Sequence, residues 1–488
     1  MFSLPFVKLS ERWRCLPLAL LLPVCAQAAP DPFDTENPIP PVIGLGSETA
    51  ITPCQLLPEN APPLVLADVV DQALCHNPQT REAWASSRYS AAQVGMAQAA
   101  YLPSLVGSVE RSRSSGSPPG DGSNWTKHQN DRSATVKLSY LLLDFGGRKA
   151  TLTASRSALE EAIATQDSVR QQVFLSAVTA FYQVHAYRAA LEAAKVSEAS
   201  ALESYKSAQA GFDAGTATPL DRLQAKTAYS QAQLETITAA GQLKNAYGAL
   251  ANVMGLPADR KVELEPLDKV LPDDRNFKAE VGQLIAEAQR QRPDLQAARA
   301  NLEVAKAKVD IERSAGLPTL SLSGSIPEYQ HRSSNAPDDG FTSHSRSIGI
   351  TLNIPIFSGF ADSYRIRGAE ANVEAAEARL AGAVDQVALD VWQGYQNLMT
   401  ATQSLTANAD LLESAKAAER VARGRYQAGV GMILDLLTAQ TALANARLSW
   451  IRAAYDWQIS RASLAQAIGA LDARFLTADA ASANANHP

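Results

Sequence analysis

Two short stretches, FDAGTATPLD at residues 212–221 and YQAGVGMILD at residues 426–435, share one skeleton and restrict the possible fold more than any other feature. Each has an aromatic residue, two residues, a glycine, four residues and Leu-Asp, and Phe212 and Tyr426 are 214 positions apart. Other pairs recur at nearly the same spacing: Asn77-Pro78 with Arg292-Pro293, Leu102-Pro103-Ser104 with Leu317-Pro318-Thr319, Phe145-Gly146-Gly147 with Phe357-Ser358-Gly359, and Met254-Gly255 with Ile468-Gly469. A single duplication of this length indicates a pseudo-symmetric protomer rather than a solenoid of many short repeats.

Each unit has the same predicted order: a short helix, a medium helix, two alternating segments, a very long helix, the quoted turn and a returning helix. The predicted divisions are a signal peptide (1–28), a Pro-rich segment (29–63), the first repeat (64–255), a linker (256–280), the second repeat (281–471) and a flexible tail (472–488). The net charge of −6, with 19% charged residues, gives no basic patch for nucleic acid.

The N-terminus has the order of a secretory signal. Lys8, Arg12 and Arg14 precede an apolar run from Cys15 to Cys25, and small residues follow at Ala26-Gln27-Ala28. A membrane-spanning helix is the alternative, but the run is too short to cross a bilayer. Lipidation of Cys25 is a second alternative, which the lack of small residues before this cysteine disfavours.

Cys54 and Cys75 are the two cysteines that remain after signal cleavage. An even pair in an oxidising compartment predicts a disulfide between the Pro-rich segment and the first helix. Two buried thiols are the alternative.

The alternating segments predict strands with one apolar and one polar face. In TLSLSGSI (319–326) and SIGITLNIPI (347–356), leucines and isoleucines alternate with Ser, Gly, Thr and Asn, and Val136, Leu138, Tyr140 and Leu142 alternate in the same way. This pattern favours a membrane β-barrel over a soluble hairpin lying on helices. The polar stretches 111–133 and 329–346 are predicted to be its outward loops.

Four strands are too few to close a barrel, whose smallest members have about 8 strands. Open edges in lipid would leave backbone groups unpaired, so the chain is predicted to oligomerise. Two copies would give a narrow eight-stranded barrel, and three would give twelve strands with room for a lumen.

Two proline-free stretches, about 147–211 and 361–428, predict helices of roughly 100 Å at 1.5 Å per residue. Their predicted apolar stripes are Val169, Val173, Ala177, Ala180, Phe181 and Val184 in the first, and Leu389, Trp392, Gln396 and Met399 in the second. An ordinary soluble helical bundle is the alternative.

The turns between the helices have predicted caps. Gly215 and Gly429 are predicted to end the long helices in a left-handed conformation, and Thr218, Pro219 and Asp221 to begin the returning helix as N-cap, N1 and N3.

The paired turns, the duplicated unit and the order of Leu-Pro, strand hairpin and long helix resemble the TolC family of bacterial outer-membrane factors, from about Leu64 to Leu471. The resemblance implies a homotrimer with a 12-stranded barrel in outer-membrane lipid, continuous with a long periplasmic α-helical barrel. It implies a periplasmic adaptor protein and an inner-membrane RND or ABC transporter as partners. No cofactor and no metal site is predicted.

The resemblance also places a periplasmic gate at the hairpin tips. Tyr426, Asp435 and Asp221 match the family's gate tyrosine and aspartates, whereas Gly431 and Thr438 stand where the best-studied pattern has Arg and Asp. An ionic latch would therefore be weaker here, with closure relying on packing around Leu434 and Met432. The predicted adaptor contacts are the surrounding tip residues Gly215, Thr216, Pro219, Leu220, Gly429, Val430 and Leu434.

Asp221 and Asp435 have a second interpretation, as acidic residues that stabilise helix N-termini by about 0.3–1 kcal/mol each. A further hypothesis is that three converging Asp435 carboxylates would favour cations in the constriction.

Three classes of function remain to be compared. A passive exit duct is favoured, carrying drugs or other small toxic compounds, or alternatively a protein substrate of type I secretion. A soluble coiled-coil scaffold is the second class. An exported enzyme is the third, and it is disfavoured because the six histidines form no His-Glu-x-x-His pair and no Gly-x-Ser-x-Gly elbow or phosphate loop occurs.

Overall fold

A computed structural model of the protein describes residues 31–40, 54, 62–116, 127–267, 280–333, 341–471 and 475. The predicted signal peptide with Cys25, residues 268–279 of the predicted linker, and the predicted tail apart from Phe475 lie outside these residues. Within the described ranges, no helix combines the length and the apolar character needed to cross a membrane.

The two units repeat the same elements in the same order. The first contains α1 (Leu66–His76), α2 (Pro78–Ala99), β1 (Ser104–Gly116), β2 (Lys127–Leu143), α3 (Gly147–Asp213) and α4 (Pro219–Val253). The second contains α5 (Val281–Gln291), α6 (Pro293–Ala315), β3 (Thr319–Ser333), β4 (Phe341–His344), β5 (Ser347–Asn353), α7 (Ala361–Gln427) and α8 (Ile433–Ile468). The predicted fold class, mostly α with a small β part and a duplicated unit, is confirmed.

The long helices α3 and α7 each have 67 residues, which corresponds to about 100 Å of helix. Each follows two consecutive residues with positive φ: Phe145 (49°) and Gly146 (102°) before α3, and Gly359 (65°) and Phe360 (66°) before α7. The sequence match of Phe145 with Phe357 was therefore two positions out of register. The chain needs a left-handed pair at this junction, and glycine takes the first place in one copy and the second in the other.

The sheet has the order β1-β2-β3, and β4 and β5 both pair with β3 in one register. The break between β4 and β5 lies at Ser345 and Arg346, where the Ser345 N–H donates to the Pro327 carbonyl oxygen. Pro327 has no N–H to complete the ladder at this point, so this arm of the hairpin is interrupted and consists of two strands.

The predicted outward loops were too wide. β1 continues to Gly116, β2 begins at Lys127 and β3 continues to Ser333, so only 117–126 and 334–340 lie outside the described residues. Polar side chains on both faces do not prevent backbone pairing, and the strands continue beyond the end of the apolar alternation.

The two-faced character of the sheet is confirmed. Leu105, Leu138, Gly324 and Ile348 form one continuous row across four strands, with Tyr140, Leu322 and Ile350 in another row on the same face. The opposite face contains Ser104, Ser139, Ser323 and Gly349 in one row. The apolar face is exposed in the protomer: Val109 is 87% exposed and Ile348 is 80% exposed.

The main apolar core lies between α1, α3, α4 and α8. The first predicted stripe contributes to it through Val173, Ala177, Ala180, Phe181 and Val184, all buried. The second stripe was wrong, because Leu389 and Trp392 are exposed and α7 buries Val387, Val391, Gly394 and Leu398 instead. A Cβ at Gly394 would lie 3.4 Å from the Leu464 Cα, so this glycine permits the close approach of α8 that sets the face.

The Pro-rich N-terminal segment is fastened to the helices at its described residues. Cys54 and Cys75 form a disulfide to α1, with their Cα atoms 5.6 Å apart. Ile39 packs with Val94 and Leu159 between α2 and α3. At these residues the Pro-rich segment is therefore part of the folded domain.

One arginine of the second unit joins the start of α6 to both α7 and α8. Arg292 pairs with Asp294 at 2.6 Å and with Asp390 on α7 at 2.9 Å, and it donates to the Ala467 carbonyl oxygen of α8 at 3.3 Å. Burial would lower the pKa of this guanidinium, but the two carboxylates outweigh burial and raise it.

Candidate gate and docking surface at the hairpin tips

The first tip reverses α3 into α4 through predictable capping chemistry. Gly215 has φ 74°, and the N–H groups of Thr216 and Ala217 donate to the Gly211 carbonyl oxygen. The Thr218 hydroxyl accepts from the Asp221 N–H at 3.2 Å, and the Asp221 carboxylate accepts from the Thr218 N–H at 2.9 Å. The predicted N-cap, N1 and N3 positions are confirmed, so Asp221 stabilises the start of α4.

The second tip has the same backbone turn without the side-chain cap. Gly429 has φ 72°, and Val430 N–H donates to the Arg425 carbonyl oxygen. The N-cap of α8 is Met432, whose side chain accepts no hydrogen bond from the helix. Asp435 occupies the first turn, where only its charge can act on the helix dipole.

Apolar packing takes the place of the cap at the second tip. Ile433, Leu436 and Leu437 are buried against Ala208 of α3 and Ala225 of α4. Leu434 and Met432, which the sequence suggested as the packing residues, are 52% and 65% exposed in the protomer. The buried set alternates with these exposed residues around the helix, and the positions of the partner helices on the first hairpin decide which set is covered.

The structure brings the two tips together at Tyr426 and Asp221. Tyr426 packs against the cluster that joins both hairpins, and burial together with the negative charge of Asp221 raises the pKa of its phenol. Residues more than 200 positions apart in the chain thus meet at one end of the molecule.

Asp435 and Gly431 lie elsewhere on the tip. With Arg425 and the small residues Ala417, Ala418 and Ala422 they line an open recess of about 430 Å³. A Cβ at Gly431 would lie 3.0 Å from the Arg425 Cβ and 3.1 Å from the Tyr426 nitrogen. A side chain at Gly431 would therefore require these neighbours at the end of α7 to shift by a few tenths of an ångström.

Thr438 is exposed, and its hydroxyl donates to the Leu434 carbonyl oxygen at 2.8 Å within the helix. Its hydroxyl hydrogen is thus used inside α8. Among the described residues it has no partner on the neighbouring hairpin.

The predicted adaptor-contact residues all lie at the surface of the protomer. Seven are exposed: Gly215, Thr216, Pro219, Leu220, Gly429, Val430 and Leu434. Leu220 is 61% exposed and Val430 is 69% exposed, so both tips present apolar side chains at the surface of the protomer.

Sequence reasoning missed a polar seam between the two hairpins, a little further from the tip. Ser204 of α3 and Gln440 of α8 are hydrogen-bonded, with the Gln440 Nε2 3.0 Å from the Ser204 Oγ. Arg423 of α7 bonds to Glu419 on its own helix and lies 3.9 Å from Glu203 of α3. Isolated polar residues on Ala-rich helices carry no signal of this kind, because nothing in their spacing identifies a partner on a different hairpin.

Among the described residues, no group of three or more His, Cys, Asp and Glu side chains could hold a metal ion. His185 is buried on α3 beside Phe181, away from the tips.

Long helical hairpins that converge at one end, and an antiparallel sheet with an exposed apolar face at the other, define a channel protein of the bacterial outer membrane. The chain belongs to the outer membrane efflux protein family, whose family model matches residues 69–256 and 284–470. The family is one of channels and not of enzymes, and the protein lies in the outer membrane and extends into the periplasm. The resemblance inferred from the duplicated turns is confirmed.

Three curated relatives are similar over nearly the whole chain. Protein CyaE of Bordetella pertussis is 32% identical over 423 residues, 86% of this chain and 87% of that protein. Outer membrane protein TolC of Escherichia coli is 24% identical over 85% of this chain and 84% of its own. The alkaline protease secretion protein AprF of Pseudomonas aeruginosa is 26% identical over 86% and 87%.

The fold is also similar to that of a solved channel. The structure of the Campylobacter jejuni CmeC outer membrane channel matches with a TM-score of 0.72 at 21% identity, over 86% of this chain and 89% of that one. At this identity the likeness concerns the fold.

Proposed function

We propose that three copies of this chain form the outer-membrane exit duct of a tripartite export system, which passes drugs or other small toxic compounds from an inner-membrane pump and a periplasmic adaptor to the outside. The observation that carries the proposal is the sheet with one apolar face. Its outermost strands, β1 and the β4–β5 arm, have no further strand beside them among the described residues. In lipid these edges must pair, and a neighbouring copy offers the complementary edge.

A trimer fits the number of strands and the size of the helical part. Because β4 and β5 lie along the same side of β3 and form one arm of a hairpin, each chain supplies four barrel strands. Three copies would supply a twelve-stranded barrel with an open lumen. The apolar face would contact lipid, and the Ser- and Thr-rich face would line the passage. Each chain also brings two hairpins, and six of them would surround a periplasmic tunnel.

The tips supply the gate and the docking surface in this proposal. Tyr426 of the second hairpin lies near enough to Asp221 of the first to be affected by its charge, so movement of one hairpin against the other would separate them. The exposed residues Leu220, Val430 and Leu434 would contact the adaptor. An RND or ABC transporter in the inner membrane would supply the energy, because no described feature of this chain binds a nucleotide.

The oligomer is tested by cross-linking and by recording from the purified protein in planar bilayers. We expect a heat-stable trimer that is recovered from outer membranes and forms discrete channels. A stable monomer in the soluble fraction would contradict the proposal and would support a periplasmic scaffold.

The charge at the tip is tested with Asp435→Asn. If three Asp435 carboxylates line the constriction, this variant should lower the preference for cations over anions in the same recordings. Asp213→Asn is the matched control, since Asp213 is also exposed at a tip but accepts from Gln209 at the end of α3. An unchanged ion preference in Asp435→Asn would remove this residue from the constriction.

A second cargo is a secreted protein, as in type I secretion. The name of AprF, an alkaline protease secretion protein at 26% identity, supports it. Deletion of the gene separates the two cargoes: increased susceptibility to drugs and solvents indicates efflux, whereas loss of a protein from the culture medium with unchanged susceptibility indicates secretion.

A further inference from the structure

Arginines occupy the outer face of the sheet immediately beyond its apolar band. Arg111 of β1 lies directly opposite Arg132 of β2, and Arg113 lies one row further along β1. Directly opposed residues of an antiparallel pair point to the same face, and the register runs without a bulge from Leu105 and Leu138 to these arginines. The three guanidinium groups therefore share the face of Leu105, Val109 and Val136. All three are exposed.

The height of this cluster matches the lipid headgroups. The apolar rows extend from Leu143 to Ala134 along β2, about 30 Å of strand at 3.3 Å per residue. For a strand tilted by about 40° this is close to the roughly 25 Å height of a barrel's apolar band. Arg111 follows Val109 by two residues, about 7 Å further along the strand. The cluster lies at the end of the sheet furthest from the helices, which is the outside of the cell.

The arrangement is electrostatically unfavourable without a partner. Like charges directly opposite each other destabilise a strand pair. The acidic side chain nearest in register on this face is Glu328, one row closer to the apolar band, and it accepts from Gln330 at 3.2 Å. Asp131 points to the opposite face and pairs with His331 at 2.7 Å. Among the described residues, no ion pair compensates Arg111, Arg113 or Arg132.

We propose that Arg111, Arg113 and Arg132 form a binding site on the outside of the barrel for the phosphate groups of anionic lipids in the outer leaflet. Arginine forks bind phosphate oxygens in pairs, and two arginines side by side on a strand pair present several donors toward one phosphate. A phosphorylated headgroup would convert the repulsion between the arginines into attraction and would fix the outer rim of the barrel at the membrane surface. The site rests on the proposed barrel, but it plays no part in transport through the lumen.

The test uses the full-length protein, purified as it assembles in neutral detergent and titrated with lipid A, which is bisphosphorylated. Native mass spectrometry counts the bound lipid, and the melting temperature of the assembly reports the gain in stability. We expect saturable binding, weakened about fivefold by removal of one arginine and about a hundredfold by the triple variant R111Q/R113Q/R132Q. Lys137→Gln is the matched control, because Lys137 lies on β2 but on the opposite face.

The difference in melting temperature between the triple variant and the wild type should change sign when lipid A is added. Without lipid the triple variant should melt at the same temperature as the wild type or above it, since repulsion is removed; with lipid A it should melt below it.

Dephosphorylated lipid A and sodium phosphate at equal concentration should have no effect on the melting temperature, which assigns the site to a lipid-borne phosphate. Equal binding of lipid A by wild type and triple variant would overturn the proposal, as would equal stabilisation by free phosphate. If either result came with channel recordings like those of the wild type, the lipid site would be wrong and the proposed exit duct would still be supported. If the triple variant fails to assemble, R113Q alone, at the edge of the cluster, must still show the fivefold loss.

Discussion

At the scale of single residues, His185 is the side chain whose chemistry is most changed by the fold. It is 3% exposed in the middle of α3, its ring centroid is 4.6 Å from that of Phe181, and its Nε2 has no hydrogen-bond partner among the described residues. Burial and the nearby charge of Arg188 lower its pKa from 6.5 to about 4. The folded protein therefore holds this imidazole neutral at a pH where the unfolded chain would protonate it.

This difference predicts a loss of stability in mild acid. Because the folded pKa is the lower one, the contribution of His185 is fully present above pH 6.5 and decreases as the pH falls toward 4, by an amount on the order of 3 kcal/mol. His185→Leu should weaken this dependence, measured as the change in melting temperature between pH 7 and pH 4.5. His344→Leu, at an exposed position on β4, is the control and should leave it unchanged. A pH dependence in His185→Leu equal to that of the wild type would contradict the assignment.

At the scale of the elements, the turns were predictable where side chains close their own hydrogen bonds locally. Thr218, Pro219 and Asp221 are a capping sequence whose partners lie within three residues, so the pattern determined the start of α4. The second tip could not be predicted in the same detail. Its start depends on the burial of Ile433, Leu436 and Leu437 against the other hairpin, and that contact spans more than 200 residues.

The seam between the hairpins makes a prediction about opening. Ser204 and Gln440 join α3 to α8, and one such hydrogen bond contributes about 0.5–1.5 kcal/mol. The double variant Ser204→Ala/Gln440→Leu should therefore raise the open fraction of the channel about two- to tenfold, seen as higher mean conductance in planar bilayers. Lys416→Gln is the control, since Lys416 pairs with Glu413 on its own helix. If both proteins conduct like the wild type, the seam does not hold the hairpins together.

At the scale of the whole molecule, alternation and helix length in the sequence predicted the sheet and the rods, because these patterns are local. The ends of the strands were not predictable. Beyond the apolar band, residues such as Arg111 and Asp131 have no period, and their pairing follows from the ladder that begins at Ser104 and Ser139. The buried face of α7 was mispredicted because it also depends on a distant contact. Gly394 allows α8 to approach closely, and this approach determines which side of α7 is buried.

The two faces of the sheet predict opposite results for neighbouring residues of β3. Leu322 lies between Tyr140 and Ile350 on the apolar face, and Ser323 lies between Ser139 and Gly349 on the polar face. In a membrane barrel, Leu322→Arg should cost about 2–4 kcal/mol near the bilayer centre and reduce the amount of heat-stable trimer in outer membranes. Ser323→Arg should assemble normally and change the ion preference of the channel, because its charge would enter water in the lumen. Equal amounts of heat-stable trimer from the two variants, with equal conductance, would contradict the barrel.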